Sequence, residues 1–184
     1  MARDASLKGA LLFSTPSLFD PNFRRTVILV GEHTDEGAMG VVLNRASETT
    51  VAEAVPDLAE VVDPDAPVYV GGPVRPRSVL VLAEFDDPSA SAALVVGDIG
   101  FARADGDLEE LARATRRARV FAGYAGWSAG QLERELDEDS WLAEDVGSTD
   151  LFPEPGEDLF ARALRDRGGA YRVLATLPDD PSLN

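Results

Sequence analysis

Short apolar runs broken by glycine, proline and aspartate fill the first half of the sequence, and this arrangement constrains the fold most. Gly9–Ser14, Thr26–Val30 and Ala38–Leu43 each have the length and apolarity of a buried strand. Thr15–Arg25 lies between the first two and carries Pro16, Asp20, Pro21 and Asn22, which are loop residues. Gly31–Gly37 reads as a hairpin-like loop. Val68–Val70 and Val79–Leu82 read as strands around Gly71-Gly72-Pro73, and Ala92–Val96 is a further apolar run after a turn at Asp86–Ser91. Thr50–Val62 predicts a short helix interrupted near Pro56.

Helical patterns come later. Asp107–Arg117 has an N-cap aspartate, with Glu110 three residues on. Leu108, Leu111 and Ala112 are its inward face. Glu157–Arg167 carries the stripe Phe160, Ala163, Leu164 and ends at Gly168-Gly169. Val120–Ala125 reads as a strand, followed by a helix from about Ser128. Tyr171–Ala175 reads as a last strand, and 178–184 as a loose tail. Strands early and helices late predict an α+β fold rather than a regular α/β alternation. At 184 residues, one domain spanning 1–184 is expected.

Several function classes are disfavoured by composition. There is no cysteine, so thiolate metal sites and cysteine nucleophiles are excluded. The net charge of −16 repels phosphate backbones and argues against direct nucleic-acid binding. No apolar run reaches the ~20 residues of a membrane span, and the first residues lack a basic segment leading into a long apolar one. A cytoplasmic protein is expected, with no membrane partner.

Gly126-Trp127-Ser128-Ala129-Gly130 fits the G-x-S-x-G pattern of a serine hydrolase elbow. That chemistry needs a base beside the serine. His33 is the single histidine and lies upstream, whereas an α/β-hydrolase places its histidine after the serine. A capping box accounts for more residues. With Ser128 as N-cap, Gln131 is the third helical residue, and Trp127 and Leu132 are placed to form a hydrophobic staple. Leu136 extends the stripe and Trp141 covers its far end. From Glu133 to Asp145 there are seven acids and one arginine, a solvated face or a docking surface for a basic partner.

Other candidate positions carry weaker chemistry. A metal at His33 would need Glu32, Asp35 or Glu36 as further ligands, and the spacing does not match a known ligand set. Asn44 ends a strand, where it closes a turn or reads a ligand amide. Gly71 and Gly72 could form an anion nest, although Pro73 supplies no donor. Arg75, Arg77 and the four arginines of Arg113–Arg119 are the basic clusters, expected as surface charge or as partners of Asp105–Glu110.

Gly123–Leu142 resembles the hallmark of the YqgE/AlgH family, G-Y-x-x-W-x-x-G-Q-L-E-x-E followed by a W-L pair. Gly123, Tyr124, Trp127, Gly130, Gln131, Leu132, Glu133 and Glu135 occupy matching positions, as do Trp141 and Leu142. Thr15–Arg45 resembles the family's N-terminal signature through Pro16, Asp20, Phe23, Arg25, Glu32-His33, Gly37-Ala38-Met39-Gly40 and Asn44. Gly71–Pro73 is the third block. The resemblance implies a single α+β domain with a bifurcated mixed or partly barrel-like sheet surrounded by helices. It also implies that the Ser128 slot is not fixed. The name of one member is tied to regulation of alginate production, and the label of transcriptional regulator is often attached to the family.

These readings converge on a noncatalytic cytosolic binding or regulatory module. Its candidate surface is His33, Asn44, Gly71, Gly72, Trp127, Gln131, Glu133 and Glu135. It requires the Trp127–Glu135 segment, the His33 loop and the Gly-Gly-Pro turn to meet. The expected partner is a protein or a small ligand; no catalytic residue, cofactor or metal is expected, and the chain is expected to be a monomer or weak dimer. The alternatives are a hydrolase using Ser128 with His33, and a literal DNA-binding regulator.

Overall fold

The computed structural model describes residues 6–103 and 105–176. The tail 178–184 lies outside the described residues. Ten strands form among them: β1 (Ala10–Ser14), β2 (Val27–Thr34), β3 (Gly37–Val42), β4 (Ala46–Thr50), β5 (Pro67–Val70), β6 (Val74–Phe85), β7 (Ser91–Val96), β8 (Ile99–Ala102), β9 (Thr115–Ser128) and β10 (Trp141–Asp145). Five α-helices accompany them: α1 (Val51–Ala54), α2 (Leu108–Ala114), α3 (Gln131–Asp137), α4 (Leu159–Arg167) and α5 (Tyr171–Ala175).

The main path of the sheet is β10-β1-β2-β3-β9-β6-β8-β7, antiparallel throughout. β9 is where it forks. Its last residues pair with β3, while its earlier ones pair with β6 on one side and, in parallel, with β5 on the other. β4 adds to β5. The sheet is therefore mixed and bifurcated, and it curls into a half barrel. Two glycines mark the closure. A methyl at Gly31 would lie 2.6 Å from the Phe101 ring of β8, and one at Gly9 would lie 2.9 Å from the Val95 carbonyl of β7.

Strict alternation builds two cores from the same strands. Leu11, Phe13, Val27, Leu29 and Val41 face inward, where Phe160, Ala163 and Leu164 of α4 cover them. Leu12, Ile28, Val30 and Val42 face outward and are covered by Leu132 of α3 with Trp127 and Trp141. Phe121 and Tyr124 both belong to the inner cluster although they are an odd three positions apart. Gly123 resolves this: at φ 72 it forms an irregularity in β9 that resets the alternation.

Some expectations change. Tyr171–Ala175 is helix α5, not a strand. Gly168 and Gly169 reverse the chain, and Tyr171 and Leu174 then pack on the inner cluster at helical spacing. Gly31–Gly37 is largely strand, because β2 runs to Thr34 and only Asp35 and Glu36 form the turn. The Asp107 helix starts as read, with the Asp107 carboxylate accepting from the Glu110 N–H at 3.0 Å. It stops at Ala114, and Arg116, Arg117 and Arg119 belong to β9. A reciprocal capping box does occur, at Thr50 and Glu53 on α1.

Candidate functional site

The β2–β3 hairpin, the end of β9 and α3 meet at one end of the sheet. His33, Ala38 and Trp127 sit side by side in register on the outer face. α3 lies over them. His33 Nδ1 accepts from the Leu7 N–H at 2.9 Å. The proton is thereby assigned to Nε2, which donates to Glu133 Oε1 at 2.7 Å. The Glu133 carboxyl is held below its ordinary range, first by its own backbone N–H and then by the His33 N–H.

Glu135 is the centre of a second cluster. Its Oε2 accepts from the indole N–H groups of both Trp127 (2.9 Å) and Trp141 (2.8 Å). Its Oε1 accepts from the Gln131 amide at 2.9 Å. The two indoles pack edge to face, 6.0 Å between centroids. One carboxylate thus ties β9, α3 and the start of β10 together. Sequence reasoning placed Trp127, Gln131, Glu133, Glu135 and His33 in one site; the structure brings all five together as a latch that fixes α3 to the sheet.

Ser128 is not the N-cap of α3. It is the last residue of β9, and Gly130, at φ 69, occupies the cap. Gln131 Oε1 accepts from the Ser128 N–H (3.0 Å) and from its hydroxyl (3.2 Å). Half of the expected box exists; the serine oxygen does not cap the helix. No hydrogen bond joins Ser128 to His33 among the described residues, and His33 Nε2 is occupied by Glu133. Ser128→Ala therefore removes one exposed contact, and its unfolding free energy is expected within about 0.5 kcal/mol of wild type. Gln131→Ala loses bonds to both Ser128 and Glu135 and is expected to cost about 1 kcal/mol. Paired urea titrations check this; equal losses would restore the serine as the cap.

Asn44 clamps backbone. Its Oδ1 accepts from the Val27 N–H (3.0 Å) and its amide donates to the Arg25 carbonyl (2.8 Å). Gly71 donates to Ala122 O and accepts from Val42 N–H, each at 2.9 Å, so its N–H does not point at a ligand. Gly72 passes directly against Tyr124 and Ala125 of β9. The Gly-Gly-Pro turn thus lies against Gly123–Ala125 of β9, just before the Trp127–Glu135 segment it was expected to meet. The arginine cluster is tied to acids other than Asp105–Glu110. Arg116 pairs with Glu84 and Asp86, and Arg117 with Glu84 and Asp150. Arg119 is buried, stacked 4.1 Å over Tyr69 and bonded to the Pro153 carbonyl.

On the opposite, inner face of the same strands lies an open cleft of about 400 Å³. Glu32, Thr34 and Glu36 form one rim, and Met39, Val74 and Tyr124 supply its walls. Gly126, exposed near the end of β9, also lines it. A methyl there would meet Val74 and Tyr124 at 3.5 and 3.6 Å, ordinary contact distances. Glu32 and Thr34 alternate with His33 along β2, which is why the carboxylate faces the cleft while the imidazole faces α3. Sequence reasoning weighed Glu36 only as a metal ligand, named Glu32, Met39 and Tyr124 as signature positions without placing them in the site, and did not single out Thr34 or Val74.

A family model described as AlgH-like matches residues 11–172. A UPF0301 protein of Thermobifida fusca (strain YX) is 43% identical over 190 residues, covering 97% of this chain and 96% of that protein. A UPF0301 protein of Chlorobaculum tepidum is 38% identical over 183 residues, covering 96% and 95%. Among solved structures, protein DIP2367 of Corynebacterium diphtheriae superposes with a TM-score of 0.83 at 27% identity, covering 96% of this chain and 95% of that one. The solution structure of the AlgH protein of Pseudomonas aeruginosa gives 0.73 at 30% identity, covering 97% of both.

Proposed function

Because the chain belongs to the AlgH-like family, we propose that it is a noncatalytic cytoplasmic binding module whose ligand surface is the cleft on the inner face of the sheet. One observation carries the reading. Two blocks of the sequence signature, the hairpin Glu32–Met39 and the segment from Tyr124, converge on a cleft of about 400 Å³, within the range of small-molecule sites. The third block, Gly71–Pro73, leads straight into Val74 on its wall.

The latch supports this reading by giving the signature residues of α3 a structural task. Trp127, Gln131 and Glu135 hold the strands that shape the cleft. Any regulatory role then runs through the bound ligand or a partner. Direct DNA contact is disfavoured, because Arg116 and Arg117 are paired with carboxylates and Arg119 is buried. No described helix is long and apolar enough to cross a membrane. The chain acts as a monomer or weak dimer.

Gly126→Leu tests the assignment. Its side chain fills the cleft from an exposed position with ordinary backbone geometry. Native mass spectrometry on wild type and variant, purified gently without added ligand, is expected to show an adduct on the wild type alone. Identical spectra from the two chains would remove the cleft as the binding surface.

A further inference from the structure

Resting on the reading of the cleft as a ligand site, we infer that its ligand is an organic cation, a protonated amine or a guanidinium carried on a short apolar stem. Four observations lead there. The rim carries two carboxylates, Glu32 and Glu36, and no lysine, arginine or histidine lines the cleft. Among the described residues neither carboxylate enters an ion pair. Their charge is therefore not neutralised from within. The walls beneath the rim are the Met39 thioether, the Val74 methyls and the Tyr124 ring.

Each wall suits one part of such a ligand. An alkyl stem gains from burial against Met39 and Val74. A cation near the Tyr124 face gains from the ring quadrupole, and the two carboxylates complement its charge at the mouth. Thr34 Oγ1 accepts from the Glu36 N–H at 3.2 Å and keeps a second lone pair that can accept from an N–H of the cation. The net charge of −16 adds a field of the same sign around the mouth. Anions, phosphates and nucleic acids are disfavoured by these same terms.

The source of the cation is either a free amine or a basic side chain of a polypeptide. Both present the same chemistry to the cleft. The probes are hexylammonium, hexanol and hexanoate, which share a stem and differ in charge, together with a capped Ala-Lys-Ala tripeptide. Binding is read from amide chemical shifts of nitrogen-labelled protein at low ionic strength. Hexylammonium is expected to give saturable shifts around Glu32, Met39, Tyr124 and Gly126. The double variant Glu32→Gln, Glu36→Gln is expected to weaken it about tenfold, and added salt to weaken it further. A tripeptide that binds more tightly than hexylammonium assigns the site to a polypeptide lysine; the reverse order assigns it to a free amine.

Hexanol or hexanoate binding as tightly as hexylammonium, without loss in the double variant, overturns the cation and leaves the cleft. Silence from every probe on wild type overturns both the cation and the cleft reading. Gly126→Leu serves as the control that the shifts come from the cleft, and it is expected to abolish them.

Discussion

Glu135→Ala is expected to destabilise the protein by about 3 kcal/mol. The carboxylate accepts three N–H bonds, two of them from indoles that are almost fully buried. Hydrogen bonds to a charged acceptor contribute about 1.5–3 kcal/mol each, and a buried donor left unpaired costs about 1–3 kcal/mol. Glu135 is itself half-buried, so water can replace part of the loss and the sum is not additive. Urea denaturation followed by tryptophan fluorescence measures it directly, because Trp127 and Trp141 are the protein's two tryptophans. A cycle with Trp127→Phe sharpens it. Phenylalanine removes one donor, so Glu135→Ala should cost at least about 1 kcal/mol less in that background. A loss under about 0.5 kcal/mol in wild type, or none of this coupling, would show that the carboxylate does not hold the latch.

The latch also explains what could and could not be read from the residues. Asp107, the stripe of α4 and the Thr50–Val62 helix broken at Pro56 were legible because local chemistry decides them. Strand β8 was not, since Ile99–Ala102 is short and takes its identity from pairing with β6 and β7. The head of β9 carries Arg116, Arg117 and Arg119 beside a good helix. Its pairing with β6, Glu84 opposite Arg117 and Leu82 opposite Arg119, makes it strand, and no local pattern announces that partner. Helix α5 was missed because a five-residue apolar segment has no decisive period; its packing beside α4 decides.

The same distinction applies to the site. The Gly123–Leu142 block marked a cluster, and the cluster exists. Its side chains alone did not reveal that they lock a helix while the cleft opens on the reverse of the sheet. Alternation along β2 separates His33 from Glu32 and Thr34, a pattern visible in sequence. Assigning each set to a face requires the bulge between Val30 and Glu32 and the irregularity at Gly123. Each shifts the alternation by one residue, so a count from the apolar part of the strand gives the wrong face beyond it.

Gly72→Ala is expected to cost about 3 kcal/mol or more, through close approach rather than loss of a contact. A methyl there would lie 2.2 Å from the Tyr124 carbonyl carbon and 2.3 Å from both Tyr124 O and Ala125 N. These are backbone atoms that cannot move aside, because Tyr124 is paired with Val74 of β6 and Ala125 with Gly40 of β3. The glycine also sits at φ 154, a conformation that costs other residues about 1–3 kcal/mol. Overpacking adds a similar amount. For a chain of this size about 3 kcal/mol lowers the melting temperature by roughly 6–12 °C. Gly126→Ala is the matched comparison: it adds the same methyl two residues beyond Tyr124 at ordinary distances, and its melting temperature should stay within about 2 °C of wild type. Similar drops in the two variants would mean that any methyl in this region is harmful and that the approach of Gly72 to β9 is not special. A drop confined to Gly72→Ala, with amide shifts at Val74 and Tyr124, would show that this crossing sets the wall of the cleft.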